Sequence, residues 1–117
     1  MDLCVMSSIK VSRLLEDIDY DLRLRLVAGK GGLDRKISSS RIQKPGLALT
    51  GFTEHLHPER VQVFGNTEIS YLRTLSEERQ REVLTNVFRS ELACVVVTKD
   101  LDIPRALPEA SERADVV

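Results

Sequence analysis

The chain has 117 residues, of which 42% are hydrophobic and 30% charged, and its formal net charge at neutral pH is −1. This length and composition predict one globular domain with its own core and exclude a disordered tail. A net charge near zero excludes the strong basic field that binding to nucleic acid or to an anionic membrane requires. No apolar run reaches the ~20 residues of a membrane span, and Cys4 and Cys94 provide no disulfide framework. The sequence therefore predicts a soluble, cytoplasmic domain.

The first part of the chain predicts one helix and two extended segments. A helix is expected over Ser12–Asp19, with its first residue as the N-cap. Apolar and charged residues alternate over Leu22–Ala28, which is the period of a half-buried strand. A second extended segment is expected over Asp34–Gln43, with Ile37 and Ile42 as its apolar anchors.

The glycine cluster Gly29–Gly32 raises the question of a phosphate-binding loop. Such a loop needs a lysine followed by serine or threonine, because the hydroxyl holds magnesium while backbone amides surround the phosphates. Here Lys30 is followed by Gly31. The cluster is therefore interpreted as a turn after a strand.

The middle of the chain predicts a helix and then a strand. Pro45 and Gly46 punctuate the sequence, and a short helix is expected over Leu47–His55. Residues 60–64 alternate again, which predicts a strand with Val61 and Val63 facing the core.

The last part of the chain predicts three helices around a buried strand. A helix is expected over Thr67–Leu75, and Ser76 followed by two glutamates predicts the start of another helix, because acids are stabilised at a helix N-terminus. The apolar, β-branched run Leu92–Thr98 is typical of a strand covered on both faces. Pro108 suits the first turn of a last helix that ends near Ala114.

Alternating strands and helices define the expected fold class. They predict an α/β domain with three layers, in which a mostly parallel sheet is flanked by helices. The expected domain spans 1–117.

The turn between the strand ending at Phe64 and the next helix is the candidate binding site. Asn66 or Thr67 can cap the helix, and free backbone amides at such an end can contact an anion. Ligands of α/β sheets favour the carboxyl ends of strands, where this turn would lie. Gly65, Asn66 and Thr67 are therefore the candidate residues for a phosphate or carboxylate. Plain helix capping is the favoured interpretation by frequency, because most capped helices bind no ligand.

His55 and His57 could supply metal ligands, but structural zinc takes four protein ligands and no further cysteine or histidine lies nearby in the sequence. A solvated loop is the favoured interpretation, so no metal is expected. No arrangement of nucleophile and base can be identified, and no catalytic residue is assigned.

Several short motifs, taken in order, resemble one family. They are Pro45-Gly-Leu, Gly51-Phe52, Pro58-Glu-Arg-Val-Gln, Gly65-x-Thr-Glu and the strand Cys94–Thr98. In this order and spacing they resemble the N-terminal domain of HPr kinase/phosphorylase, a bifunctional bacterial enzyme that acts on a serine of a sugar-transport phosphocarrier.

The resemblance implies a non-catalytic domain with a fold similar to the N-terminal domain of the peptidoglycan (Mur) ligases. It places the P-loop, ATP and magnesium in a C-terminal kinase domain that is absent from these residues, so no cofactor is expected here. The implied partners are that kinase domain, the HPr-type phosphocarrier acting through the parent, and further copies in a homo-oligomer.

Two hypotheses of different classes remain open. In the first, the chain is the regulatory or architectural N-terminal domain of an HPr serine kinase/phosphorylase, which controls the sugar phosphotransferase system and carbon metabolism. In the second, it is a stand-alone module that binds a phosphate-bearing metabolite or serves as a protein–protein adaptor.

Overall fold

The computed structural model describes residues 8–16, 23–39, 41–98 and 101–117. The α-helices are α1 (Ser12–Leu15), α2 (Gly46–Leu49), α3 (Asn66–Arg73), α4 (Glu77–Phe88) and α5 (Ala106–Ala114). The strands are β1 (Ile9–Lys10), β2 (Lys36–Ile37), β3 (Ile42–Gln43), β4 (Val61–Phe64) and β5 (Cys94–Val97). A 3-10 turn covers Lys30–Gly32.

The strands form two separate sheets. β1 and β2 pair antiparallel, whereas β3, β4 and β5 form a parallel sheet in that order. The register aligns Val61 with Cys94 and Phe64 with Val97. The parallel sheet flanked by helices confirms the α/β prediction.

Each face of the parallel sheet has its own apolar cluster. Phe64, Val95 and Val97 lie on the face that packs against α2, α3, α4 and α5. Val61 and Cys94 lie on the opposite face, where Val11, Leu14 of α1 and Ile37 of β2 cover them; Val11 and Ile37 are buried. The larger of the two clusters lies on the helical side.

In β4 the completely buried residues are not the ones predicted, although Val61 packs against the smaller cluster. Val61 and Val63 are only half-buried, whereas Gln62 and Phe64 are completely buried. A glutamine tolerates this position because its Nε2 group is hydrogen-bonded, although its Oε1 atom has no partner among the described residues. Gln62 Nε2 donates to the carbonyl of His57 at 2.9 Å. This hydrogen bond connects the loop before β4, which contains His57, to the sheet.

The two helices predicted in the first half of the chain are shorter in the structure. α1 begins at Ser12, but its N-cap is Val11 and no side chain caps it, so the predicted serine cap is wrong. The rest of the predicted helix, from residue 17, lies outside the described residues. α2 begins at Gly46 and ends at Leu49, because Gly51 takes a positive φ of 107° that breaks the helix before His55.

Extended segments were over-predicted for a common reason. Residues 23–28 form no strand, and the stretch 34–43 is divided between β2 and β3, which belong to different sheets. Leu22 lies outside the described residues. Ile37 is buried as predicted, but Ile42 is 60% exposed because β3 is an edge strand. Alternation predicts a strand only where a partner strand is within reach.

The helices of the second half match their local signals closely. Ser76 is the N-cap of α4, and its side chain accepts a hydrogen bond from the N–H of Arg79 at 3.2 Å. The apolar stripe of that helix is buried as predicted, namely Val83, Leu84, Val87 and Phe88. α5 carries Pro108 in its first turn. β5, however, is half-buried over Val95–Val97 rather than covered on both faces.

The glycine cluster packs closely against the end of α5. Gly29 has a φ of 74°, and its N–H donates to Glu112 Oε1 at 2.8 Å. A Cβ on Gly29 would lie 1.7 Å from the carbonyl oxygen of Val116, and one on Gly32 would lie 2.2 Å from that of Asp115. Only glycine allows this close approach of two backbones. The predicted turn is present, but the strand predicted before it is not formed by residues 23–28.

Cys94 provides a test of the apolar packing around β5, where its side chain lies in the cluster with Val11 and Ile37. Its side chain is 1% exposed, and burial raises the pKa of the thiol from 9.0 to about 11. At pH 8 the folded protein should therefore hold about a hundredfold less thiolate than an ordinary cysteine. In a Cys4→Ser variant, we expect Cys94 to react with a disulfide reagent at least that much more slowly in the native protein than in urea. Equal rates would contradict the packing.

The raised pKa of the Cys94 thiol makes the free energy of unfolding depend on pH. The folded state keeps the thiol proton after the unfolded state has lost it, so this contribution is complete below about pH 9 and declines as the pH rises towards 11.

Candidate functional site

Polar groups that follow the three strands of the parallel sheet lie close together. Lys44 follows β3, Gly65 follows β4 and Thr98 follows β5, so all three lie at the carboxyl edge of the sheet. A Cβ on Gly65 would lie 2.6 Å from Lys44 Nζ and 3.6 Å from Thr98 Oγ1. This is the edge at which ligands of α/β sheets are usually bound.

A carboxylate of the chain itself already occupies the start of α3. Glu68 Oε1 accepts a hydrogen bond from the N–H of Gly65 at 2.9 Å and lies 3.2 Å from Lys44 Nζ. The Glu68 side chain is 3% exposed, whereas that of Lys44 is 53% exposed. The buried carboxylate therefore lies where the helix dipole stabilises a negative charge and pairs with Lys44.

The three predicted anion-binding residues differ in burial and in whether their backbone N–H groups have an acceptor. Gly65 is buried and its N–H is engaged by Glu68. Asn66 and Thr67 are exposed in the first turn of α3, and within the described part of the chain their N–H groups have no acceptor. The N-cap is Gly65, so the prediction that Asn66 or Thr67 caps the helix is wrong. Two free amides remain beside a half-exposed lysine.

Glu68 is the residue that the sequence interpretation missed. Its signal was present, because a glutamate three residues after an N-cap commonly returns to the N-cap amide. The signal was masked by the choice of Asn66 or Thr67 as the cap, which moves the corresponding position past Glu68.

Replacing Glu68 by alanine should destabilise the protein by about 2 kcal/mol, because it removes a helix cap and leaves the Gly65 amide buried without an acceptor. Glu68→Gln should recover part of the loss, since its amide oxygen can still accept from Gly65 but cannot pair with Lys44. Urea unfolding measures both variants. Equal stability of Glu68→Ala and the unsubstituted chain would contradict the assigned cap.

The two histidines belong to a polar network under the loop that joins α2 to β4. Gln43 Nε2 donates to the carbonyl of His55 at 2.8 Å, and the N–H of His57 donates to Gln43 Oε1 at 2.8 Å. The histidine backbones, rather than their rings, make these contacts. The ring of His55 lies 5.6 Å from that of Phe52, and His57 Nδ1 lies 3.7 Å from Glu59 Oε2.

Within the described residues, no three residues of histidine, cysteine, aspartate or glutamate are grouped so that they could hold a metal ion. In those same stretches, no helix has both the length and the apolar character needed to cross a membrane.

Comparison with known proteins assigns the chain to a family. The family described as HPr Serine kinase N terminus matches residues 9–117. The chain is 51% identical over 109 residues to the HPr kinase/phosphorylase of Geobacter sulfurreducens, covering 93% of this chain and 34% of that protein. It is 33% identical over 111 residues to the HPr kinase/phosphorylase of Streptococcus gordonii, with coverage of 94% and 34%.

The HPr kinase/phosphorylase of Bacillus cytotoxicus is 32% identical over 101 residues, covering 86% of this chain and 33% of the relative. The chain thus spans about a third of the length of these curated relatives. The chain belongs to the HPr serine kinase N-terminal domain family.

Proposed function

We propose that this chain, over 1–117, acts as the non-catalytic N-terminal domain of an HPr serine kinase/phosphorylase, with a regulatory or architectural role. The observation that carries the proposal is the extent of the match: nearly the whole chain aligns with one third of each relative, and the family is described as the N terminus. The relatives are named for the activity of the whole protein, so the chemistry is assigned to the other two thirds.

The glycine cluster supports a non-catalytic role. The N–H of Gly29 is taken by Glu112, and the space above Gly31 and Gly32 is filled by Asp115. A triphosphate would need those amides and that space. The residues present therefore do not fit ATP, and we assign ATP and magnesium to the C-terminal kinase domain of the parent.

Further parts of the proposal concern the parent protein. Its partners would be the HPr-type phosphocarrier and further copies of itself, it would act in the cytoplasm, and it would control the sugar phosphotransferase system and carbon metabolism. The parallel sheet with helices is compatible with a fold similar to the N-terminal domain of the Mur ligases, which is an analogy at the level of the fold.

The experiment compares the Geobacter sulfurreducens relative with a form that lacks the residues matching this chain. We expect the shortened protein to transfer phosphate from ATP to the carrier, while its assembly mass or its response to metabolites changes. Fusing the present chain in place of the deleted residues should restore the parent's behaviour. Loss of all phosphotransfer from a folded shortened protein would contradict a non-catalytic role.

A second candidate function is contact with a phosphate-bearing metabolite at the carboxyl edge of the sheet. The observation that favours it is the convergence of Lys44 and Thr98 beside the free amides of Asn66 and Thr67. Glu68 opposes it, because its carboxylate repels a second anion. A ligand would therefore have to share Lys44 with Glu68.

Titration with inorganic phosphate tests this candidate. We expect the amide resonances of Asn66 and Thr67 to shift and the melting temperature to rise, because a ligand that binds only the native state stabilises it. Lys44→Met should abolish both effects, whereas Lys36→Met, at an exposed lysine of β2, should leave them intact. Unchanged resonances across a millimolar titration would exclude the site.

A further inference from the structure

One side of α4 carries a row of exposed polar residues. They are spaced by four, three and four positions, and they are Glu78, Glu82, Thr85 and Arg89. Residues three and four apart are neighbours on the surface of a helix, so all four lie on one side. Arg89 is the C-cap and keeps helical backbone angles, with a φ of −61° and a ψ of −21°. We call these four residues the α4 stripe, which is about 16 Å long at 1.5 Å per residue.

The charges at the two ends of the α4 stripe are unpaired. Among the described residues, the side chains of Glu78 and Arg89 make no hydrogen bond and no ion pair. Glu82 differs, because its Oε2 lies 2.7 Å from Arg79 Nη1. Its charge is therefore balanced within the helix, and its Oε1 remains as a further acceptor. The unpaired charge of the stripe is negative at its start and positive at its end.

The α4 stripe is complementary to itself in an antiparallel arrangement. A two-fold axis at its middle exchanges the first residue with the last and the second with the third. Glu78 of one copy then faces Arg89 of a second copy. Glu82 faces Thr85 of the second copy, whose hydroxyl can donate to the carboxylate. A parallel arrangement would instead place each end charge opposite the same charge, so the pattern favours the antiparallel one.

A groove beside the stripe provides space for a second helix. It lies between α2 and α4 and has a volume of about 540 Å³. Its lining includes the whole stripe together with Leu49, Gly51 and Val83. Leu49 and Val83 are buried and apolar, and a Cβ on Gly51 would meet no atom within 4 Å. The groove is therefore open on its α2 side.

Two exposed apolar side chains flank Leu49 and Gly51 in the sequence. Leu47 is 69% exposed and Phe52 is 44% exposed, and the N–H of Phe52 donates to the carbonyl of Leu47 at 3.2 Å. Charged pairs at the rim of an interface determine its orientation, whereas burial of large apolar side chains contributes much of the free energy of binding. The surface between α2 and α4 offers both.

We propose that this surface binds a second copy of the chain, with the two α4 helices antiparallel across a two-fold axis. The net charge of the chain is only −1, so two copies approach without strong long-range repulsion. The proposal rests on the proposed function, because that function gives the parent further copies of itself as partners. It names the surface through which the N-terminal domains would meet.

The helix dipole is the rival explanation for the two end charges. It stabilises Glu78 in the first turn of α4 and Arg89 at the C-terminus, as it does in many helices. That effect acts within one chain and requires no second copy. Charge exchange between two different variants separates the explanations, because only an interface lets one chain compensate for the other.

Sedimentation equilibrium of the 117-residue chain, from micromolar to millimolar concentration, tests the proposal. We expect the average mass to rise from that of one chain towards that of two. Glu78→Arg and Arg89→Glu should each weaken the dimer about tenfold, because each variant replaces two attractive contacts by two repulsive ones. An equimolar mixture of the two variants should recover the association, since every end contact then joins opposite charges again.

Two controls accompany the variants. Lys36→Glu, at an exposed lysine of β2, should associate like the unsubstituted chain. Added salt should weaken the association of the unsubstituted chain, because exposed ion pairs are screened. This second measurement needs no substitution, so it tests the proposal even where a variant is poorly folded.

Four outcomes would overturn the proposal. They are a chain that stays monomeric at millimolar concentration, a dimer that salt leaves unchanged, a dimer that neither charge reversal weakens, and a mixture that associates no better than its components. A monomeric chain would leave the surface to a protein of another kind. Phosphotransfer by the shortened relative does not depend on any of these results, so failure of this proposal and failure of the proposed function can be distinguished.

Discussion

Gly29→Ala is expected to destabilise the folded chain by about 3 kcal/mol or more, because it combines backbone strain with a steric clash. Gly29 has a φ of 74°, and a Cβ would lie 1.7 Å from the carbonyl oxygen of Val116 and 2.8 Å from Ser111 Oγ. The clash is with backbone, so no rotamer change relieves it. The junction between the glycine cluster and the end of α5 would have to open.

Gly51→Ala is the matched control. Gly51 also has a positive φ, of 107°, but a Cβ there would meet no atom within 4 Å. This variant therefore reports the conformational cost alone, which we expect to be about 1–2 kcal/mol. Urea unfolding of the two variants isolates the clash as the difference between them. If Gly29→Ala costs no more than Gly51→Ala, the close approach of the two backbones is wrong.

Phe64→Ala is expected to cost about 3–5 kcal/mol, a large part of the 5–15 kcal/mol typical of a whole domain. Phe64 is completely buried in the cluster between the sheet and the helices. It is also the last residue of β4 before Gly65. Its loss should leave a cavity under the start of α3 and lower the urea midpoint strongly.

The neighbouring residue provides the control for Phe64. Val63 lies on the opposite face of β4 and is only half-buried. Because less apolar area is removed, Val63→Ala should cost about 1 kcal/mol or less. The reverse order of the two costs would show that the alternation of β4 has the phase predicted from the sequence, with Val63 in the core.

The elements that could be predicted well are those with local signals. α4 combines a serine N-cap, acids in its first turn and a helical apolar stripe, and all of these depend on residues within a few positions of one another. The turn at Gly29–Gly32 likewise depends on the backbone freedom of its glycines. Such signals do not need a distant partner.

The strands were harder because their pairing is not local. In β4 the buried phase includes Gln62, which is acceptable only because Gln43 and the backbone of His57 come close to it in space. Residues 23–28 alternate like a strand but form none in the structure. No pattern within either segment could have revealed these facts.

The turn after β4 lies where its position along the chain predicts, but its role as an anion-binding site stays a prediction. Position along the chain placed the turn after β4 at the carboxyl edge, which needs only the order of the elements. The occupation of the helix start by Glu68, and the approach of Lys44 from the neighbouring strand, depend on the folded structure. The site therefore has less free capacity for an anion than its sequence suggested.

The most direct test of the central claim is a phosphotransfer assay with labelled ATP and an HPr-type phosphocarrier. It compares the 117-residue chain with a chimera in which this chain replaces the matching residues of the Geobacter sulfurreducens relative. A non-catalytic N-terminal domain predicts phosphorylation of the carrier by the chimera and none by the chain alone. Phosphorylation by the purified 117-residue chain would contradict the account.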